Sequence, residues 1–217
     1  MILNMTKYLK KEEIDDGAIF EVANALKEGK IVVFPTDTVY GIGTNAYDKE
    51  ACKKIYEIKG RPKNKPLSIL ISNISMLKEV VEDISSIEQK LIDAFWPGPL
   101  TIKFKKREGI LPNIVSASDE YIRVRLVNEG VIYKLIETSG VPIVAPSANL
   151  SGSFTGTKIE NIVKELGGKV DYILDCGDIE SDTVSTIVQV EDGQVLIIRE
   201  GKIEKEELEK VVTIKKV

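Results

Sequence analysis

Residues 31–67 read IVVFPTDTVYGIGTNAYDKEACKKIYEIKGRPKNKPL, and the fold turns on how they are parsed. The apolar run 31–34 predicts a short buried strand. Pro35 ends it, because proline has no N–H for a ladder. A hydroxyl- and glycine-rich run follows: Thr36, Asp37, Thr38, Tyr40, Gly41 and Gly43. Asp48 is placed to cap a helix running to about Ile58. Lys59-Gly60-Arg61-Pro62 then makes a sharp basic loop, with Gly60 permitting the reversal and Pro62 fixing the exit. With Lys63 and Lys65, four cations fall within seven residues. A strand end, a polar cradle and a rigid cationic loop describe a small-molecule site that includes an anion. A surface loop followed by a solvated charge run fits the same residues equally well.

Outward from this stretch, helical and strand patterns interleave. Helices are expected over 12–27, 131–138, 158–166 and 205–211, with Asn73 and Ser85 or Ser86 capping two more. Strands are expected over 6–10, 67–71, 100–105, 121–126, 141–145 and 172–175. Residues 186–190 and 195–199 flank Asp192-Gly193, the strongest hairpin signal in the chain. Interleaving argues for an α/β fold, and the hairpin for a mixed sheet.

Composition narrows the chemistry. The chain has 217 residues, 43% hydrophobic, enough for one sizeable core. No apolar run approaches the roughly 18 residues of a membrane span. The start, MILNMTKYLKKEE, lacks the apolar region of a secretory signal. Cys52 and Cys176 lie far apart outside any C-x-x-C, so a zinc site or disulfide framework is not expected and a reducing cytosol fits. There is no histidine. That excludes a Ser-His-Asp or Cys-His relay and any His-ligated metal. An enzyme built from this chain must work by positioning and electrostatics, or borrow a metal held by its substrate. A net charge of −4 supplies no global drive toward nucleic acid. Only five of the thirty cationic side chains are Arg: Arg61, Arg107, Arg123, Arg125 and Arg199. Arginine binds phosphate and carboxylate bidentately. All but Arg107 lie in or near apolar strand signals, where a charge needs a partner.

Three further pieces carry polar chemistry at strand ends: VAPSANLSGS at 144–153, DTVST at 182–186, and Arg199. Ligands in open α/β sheets sit beyond strand ends, although Ser, Asn and Gly are also ordinary turn residues. No G-x-x-x-x-G-K-[ST] is present, so a P-loop is excluded.

In order and spacing, FPTDTVYGIG, KGRP, FWPGPLT, YIRVR, VAPSANLSG and VSTIV resemble the YrdC-like family over about residues 18–201. The K-x-R and S-x-N pair is the most specific part. The family's enzymes are threonylcarbamoyl-AMP synthases. The resemblance implies an α/β fold: a twisted mixed sheet flanked by helices around a cationic cavity. It implies one YrdC-like domain over 1–217, with a core of about 14–201 and a C-terminal helix and tail at 202–217. The chain resembles the family's short form, without the added C-terminal domain of the long form. The implied reaction joins L-threonine, bicarbonate (or carbon dioxide) and ATP into threonylcarbamoyl-AMP and pyrophosphate. Mg²⁺ would arrive with ATP, with no metal ligand from the chain. A transfer complex would then pass the threonylcarbamoyl group to the adenosine beside the anticodon of tRNA. A cytoplasmic location, no membrane, and a weak direct contact with RNA complete the expectation.

Carried onto this sequence, Lys59 and Arg61 would hold the phosphates and act in catalysis. Lys65 stands where the family often has an Asn near the nucleotide. Ser147 and Asn149 match S-x-N on the nucleotide side, Thr155 follows in the same loop, and Arg199 matches an arginine near the nucleotide. Tyr121 would line the ATP side and Ala145 the threonine side. Thr38, Arg125 and Ser185 would contact threonine, Arg125 through the carboxylate. Two positions depart from the family's pattern. Leu70 stands where long-form members have a histidine, and Glu200 replaces the proline of R-P-G. A histidine-free site suits a reaction that needs alignment and charge neutralisation more than an acid–base group. Two rivals stay open. One is a double-stranded RNA-binding module without catalysis. The other is a related carbamoyl-adenylate enzyme, against which the absence of C-x-x-C weighs.

Overall fold

The hydroxyl-rich run after Pro35 folds back onto the strand before it. β1 (Lys7–Lys10) comes first in the chain. β2 (Val32–Phe34) is buried throughout, and β3 (Gly41–Asn45) pairs with it antiparallel, Val32 opposite Gly43 and Phe34 opposite Gly41. Gly41 and Gly43, read as part of the polar run after Pro35, belong to this fully buried strand. GIGTN has weak strand propensity, and close approach selects its glycines. A Cβ at Gly41 would lie 2.6 Å from Cε2 of Phe34.

The computed structural model describes residues 6–128, 130–153, 156–180 and 183–215. The remaining strands are β4 (Ser68–Ile71), β5 (Leu100–Lys105), β6 (Tyr121–Leu126), β7 (Ile143–Val144), β8 (Tyr172–Asp175), β9 (Thr186–Glu191) and β10 (Gln194–Arg199). They form one sheet in the order β1-β8-β2-β3-β7-β4-β6-β5-β9-β10. β1/β8, β2/β8, β4/β6 and β5/β9 are parallel, and the other neighbours antiparallel. The sheet is therefore mixed, as the Asp192-Gly193 hairpin implied.

Helices α1 (Asp16–Lys27), α2 (Lys49–Lys59), α3 (Ile74–Val80), α4 (Ser86–Phe95), α5 (Asn113–Ser116), α6 (Gly130–Ser139), α7 (Ile159–Leu166) and α8 (Lys205–Glu209) flank it. Asp15, Asp48, Asn73 and Ser85 each accept a backbone N–H at an N-cap. α1 begins later than its apolar pattern suggests, because Lys11–Glu13 form a separate 3-10 turn and Asp15 is the cap. α5 falls in a stretch where no helix was expected, and four residues are too few to show a helical period. The central strands carry the core: Val32, Ile42, Ile69, Ile102, Val124 and Val144 are fully buried. α2 stops at Gly60, whose φ of 57° gives the left-handed cap that an L side chain resists. That reversal sends Arg61 back toward the sheet.

Candidate functional site

Four of the five arginines line one cavity of about 130 Å³. Arg61 comes from the loop after α2, Arg123 and Arg125 from alternate positions of β6, and Arg199 from the end of β10. Thr38, from the β2–β3 connection, Ala145 and Ser147, after β7, and Ser185, before β9, complete much of the wall. A larger cavity of about 550 Å³ adjoins it, sharing Thr36 and Arg125 and walled by Pro97, Pro99 and Val131.

Arg125 is the most confined of the four, 4% exposed. Its Nε donates to the Gly98 carbonyl at 2.9 Å and its Nη1 to Thr38 Oγ1 at 3.3 Å, while Nη2 pairs with Asp37. Burial holds its pKa below the ordinary arginine value, against the pull of Asp37. At the far end of β10, Arg199 donates from Nη2 to the Ser185 carbonyl at 2.7 Å and to Ser185 Oγ at 3.1 Å. Ser185 Oγ also lies 2.8 Å from Thr101 Oγ1. The Arg199 guanidinium is pushed down to about 10, first by burial and then by the like charges of Arg123, Arg125 and Arg61. Arg61 is anchored by neutral carbonyls, Nε to Lys65 at 3.0 Å and Nη2 to Pro66 at 2.9 Å. Among the described residues, Arg125 alone of the four has a carboxylate within ion-pair distance. The cavity thus concentrates positive charge without its counter-ions, which favours a multiply charged anion.

Lys59 is built in behind this wall. It is 2% exposed, and its Nζ donates to the carbonyls of Ser147 and Asn149. Ser151 N donates back to the Lys59 carbonyl at 2.8 Å. The K-x-R and S-x-N segments are therefore one hydrogen-bonded unit. Burial, then the charge of Arg61, lowers the lysine to about 7, with Glu165 opposing. Ser147 Oγ lies 2.6 Å from Asn149 Oδ1, and Asn149 Nδ2 donates to the Leu150 and Ser153 carbonyls, both at 3.0 Å. These bonds set the shape of the loop. Ser147 reaches the cavity wall, while Lys59 and Asn149 support it from behind.

The other expected residues distribute as follows. Thr38, Arg61, Arg125, Ala145, Ser147, Ser185 and Arg199 converge on the cavity. Lys65 is exposed and contributes its carbonyl, which accepts from Tyr56 and Arg61. Tyr121 starts β6 half-buried, with Lys103 Nζ 5.2 Å from its ring centre, outside the lining. Thr155 lies outside the described residues. Leu70 is on the wall, 4% exposed, and Arg199 bonds Ser185 rather than Glu200. The sequence reading names Thr36 and Asp37 only as part of the polar run and Arg123 only as a charge in need of a partner, with no role assigned, and Thr101 is not among its candidates. Arg123 stands two residues from Arg125 in a strand, which puts both on one face, and that spacing was the signal for Arg123. Among the described residues no helix is long and apolar enough to cross a membrane.

The Sua5/YciO/YrdC family model, described as telomere recombination, matches residues 24–201. The chain belongs to the Sua5/YciO/YrdC family. Within that family, a threonylcarbamoyl-AMP synthase from Pyrococcus abyssi is 37% identical over 93% of this chain. The chain spans 59% of that relative's length. A Methanocaldococcus jannaschii relative is 40% identical and is matched over 94% of its own length and 91% of this chain. The crystal structure of P. abyssi Sua5 complexed with L-threonine superposes with a TM-score of 0.89 at 35% identity. It covers 97% of this chain and 62% of that one. The family's mixed α/β sheet is thus the fold of this chain, as the six motifs implied.

Proposed function

We propose that the chain is a threonylcarbamoyl-AMP synthase, a nucleotidyltransferase acting on L-threonine, bicarbonate (or carbon dioxide) and ATP. The observation that carries the reading is the single cavity where four arginines meet hydroxyl-bearing walls, in a chain that shares its fold with a threonine-bound relative. In this reading Arg125 takes the amino-acid carboxylate, with Thr38 and Ser185 beside it. Leu70 gives that end an apolar wall where long-form members offer histidine.

The free threonine amine attacks the carbon of bicarbonate, expelling water, or of carbon dioxide, releasing a proton to solvent, and an N-carboxylate forms. An oxygen of that carboxylate then attacks the α-phosphorus of ATP, the bond to the bridging oxygen breaks, and pyrophosphate leaves. The chain's contribution is alignment and charge. Arg61 and Arg199, locked on carbonyls, meet the phosphates without reorganising as charge builds. Lys59 holds the Ser147–Asn149 loop against them. The mixed anhydride product then serves a threonylcarbamoyl-transfer complex acting on tRNA.

Mg²⁺ belongs, in this reading, with the triphosphate. Among the described residues no group of three His, Cys, Asp or Glu side chains stands close enough to hold a metal. Asp37, at the cavity, is already paired with Arg125.

The test is pyrophosphate release from ATP, with mass-spectrometric detection of threonylcarbamoyl-AMP. Release that needs both threonine and bicarbonate supports the synthase. RNA binding with no ATP consumption under any substrate combination supports the non-catalytic module instead.

A further inference from the structure

We propose that Arg123 is a phosphate ligand, completing with Arg61 and Arg199 a three-guanidinium site for the polyphosphate of the nucleotide. The proposal rests on the reading that the cavity takes ATP, and it assigns a role to an arginine outside the K-x-R, S-x-N, Arg125 and Arg199 set. Arg123 lies on β6 two residues before Arg125, on the same face of the strand. In register it stands between Ser68 of β4 and Lys103 of β5. Its side chain is part of the cavity wall.

Its Nε is shielded from solvent and has no hydrogen-bond partner among the described residues. Buried donors are rarely left in that state, so a donor with no protein partner marks a place for something the chain does not supply. The nearby acid does not supply it. Asp119 attracts Arg123, but its Oδ2 is engaged by Lys103 at 3.3 Å. No carboxylate of the described residues lies within ion-pair distance of Arg123, whereas Asp37 serves Arg125. The two β6 arginines therefore differ in kind. Arg125 is oriented by a carboxylate, a hydroxyl and a carbonyl. Arg123 shares the cavity wall with Arg61 and Arg199; burial first, and then the charge of Arg123, holds both of those guanidiniums below the ordinary arginine value. Three guanidiniums brought together repel unless a ligand with several negative charges sits among them. Phosphate accepts bidentately from planar forks of this kind.

The experiment is isothermal titration of inorganic triphosphate, and separately of L-threonine, into wild type, Arg123→Ala, Arg123→Gln and Arg107→Ala. Arg107 is exposed and outside the cavity, so its variant controls for loss of surface charge. Triphosphate binding is expected to weaken about 10- to 100-fold in both Arg123 variants, the scale of a charge-assisted hydrogen bond. Threonine affinity and the Arg107→Ala variant should stay within about twofold of wild type. Arg123→Gln keeps the first three side-chain carbons and an N–H donor, and gives the answer should Arg123→Ala unfold. Triphosphate affinity within about twofold of wild type in a folded Arg123 variant overturns the proposal. A wild-type chain that binds triphosphate yet releases no pyrophosphate with threonine and bicarbonate overturns the synthase reading alone, and the titrations still decide the role of Arg123.

Discussion

A lysine ammonium buried to 2% exposure and held only by neutral carbonyls is costly to keep charged. Lys59 therefore titrates near 7 in the fold instead of 10.5. Between those values the unfolded chain holds a proton that the folded chain has lost, so stability rises with pH across that window and is level outside it. Measured as wild type minus Lys59→Met by denaturant unfolding, the difference should climb from about pH 7 to about 10.5. Its slope should be at most about 1.4 kcal/mol per pH unit. A flat difference would show that Lys59 keeps its ordinary pKa. The residue types at this site were legible in the sequence, since K-x-R and S-x-N stand out by spacing. Their roles were less so. The burial of Lys59 depends on residues 147 and 149, about ninety positions away, and no local pattern reports that. Asp37 looked like one more polar loop residue, but it lines the larger cavity and pairs with Arg125, which both cavities share.

Among the elements, the β9–β10 hairpin delivers two site residues and explains a glycine. Arg199 ends β10 and Ser185 precedes β9, and the two bond each other. Asp192 and Gly193 turn the hairpin with φ of 50° and 75°, both left-handed, as the Asp-Gly pair predicts. Just beyond Arg199, Gly201 lies against the Ser185 backbone. A Cβ there would lie 2.5 Å from the Ser185 carbonyl carbon and 2.6 Å from Thr186 N. Gly201→Ala should destabilise the fold by about 1–3 kcal/mol, the usual cost of overpacking. It should also raise the KM for threonine, because the segment that must shift carries Ser185. Thermal unfolding and steady-state kinetics check the two effects, and wild-type values in both would remove this account of the glycine. β3 shows the opposite case. Its glycines read as loop because their selection comes from neighbouring strands, the Phe34 ring at Gly41 and first the Val144 carbonyl at Gly43, a tertiary fact invisible to periodicity.

Across the whole molecule, the sheet order brings distant parts of the chain to one place. β6 runs between β4 and β5, and β9 joins the far side of β5. Arg61, Arg123, Arg125 and Arg199 therefore converge although they span most of the sequence. The mixed α/β class was legible from interleaved patterns and one hairpin. The strand order was not, because short strands such as Ile143–Val144 say little about their partners. The central claim is that threonine and the nucleotide share this one cavity, threonine at the Arg125 end and phosphates at the Arg61 end. A crystal structure with L-threonine and a non-hydrolysable ATP analogue measures this directly. The account predicts the threonine carboxylate within hydrogen-bond distance of Arg125, and phosphate oxygens within reach of Arg61, Arg123 and Arg199. Ligands bound on separate faces of the sheet, or phosphates held at the Arg125–Asp37 pair, would contradict it.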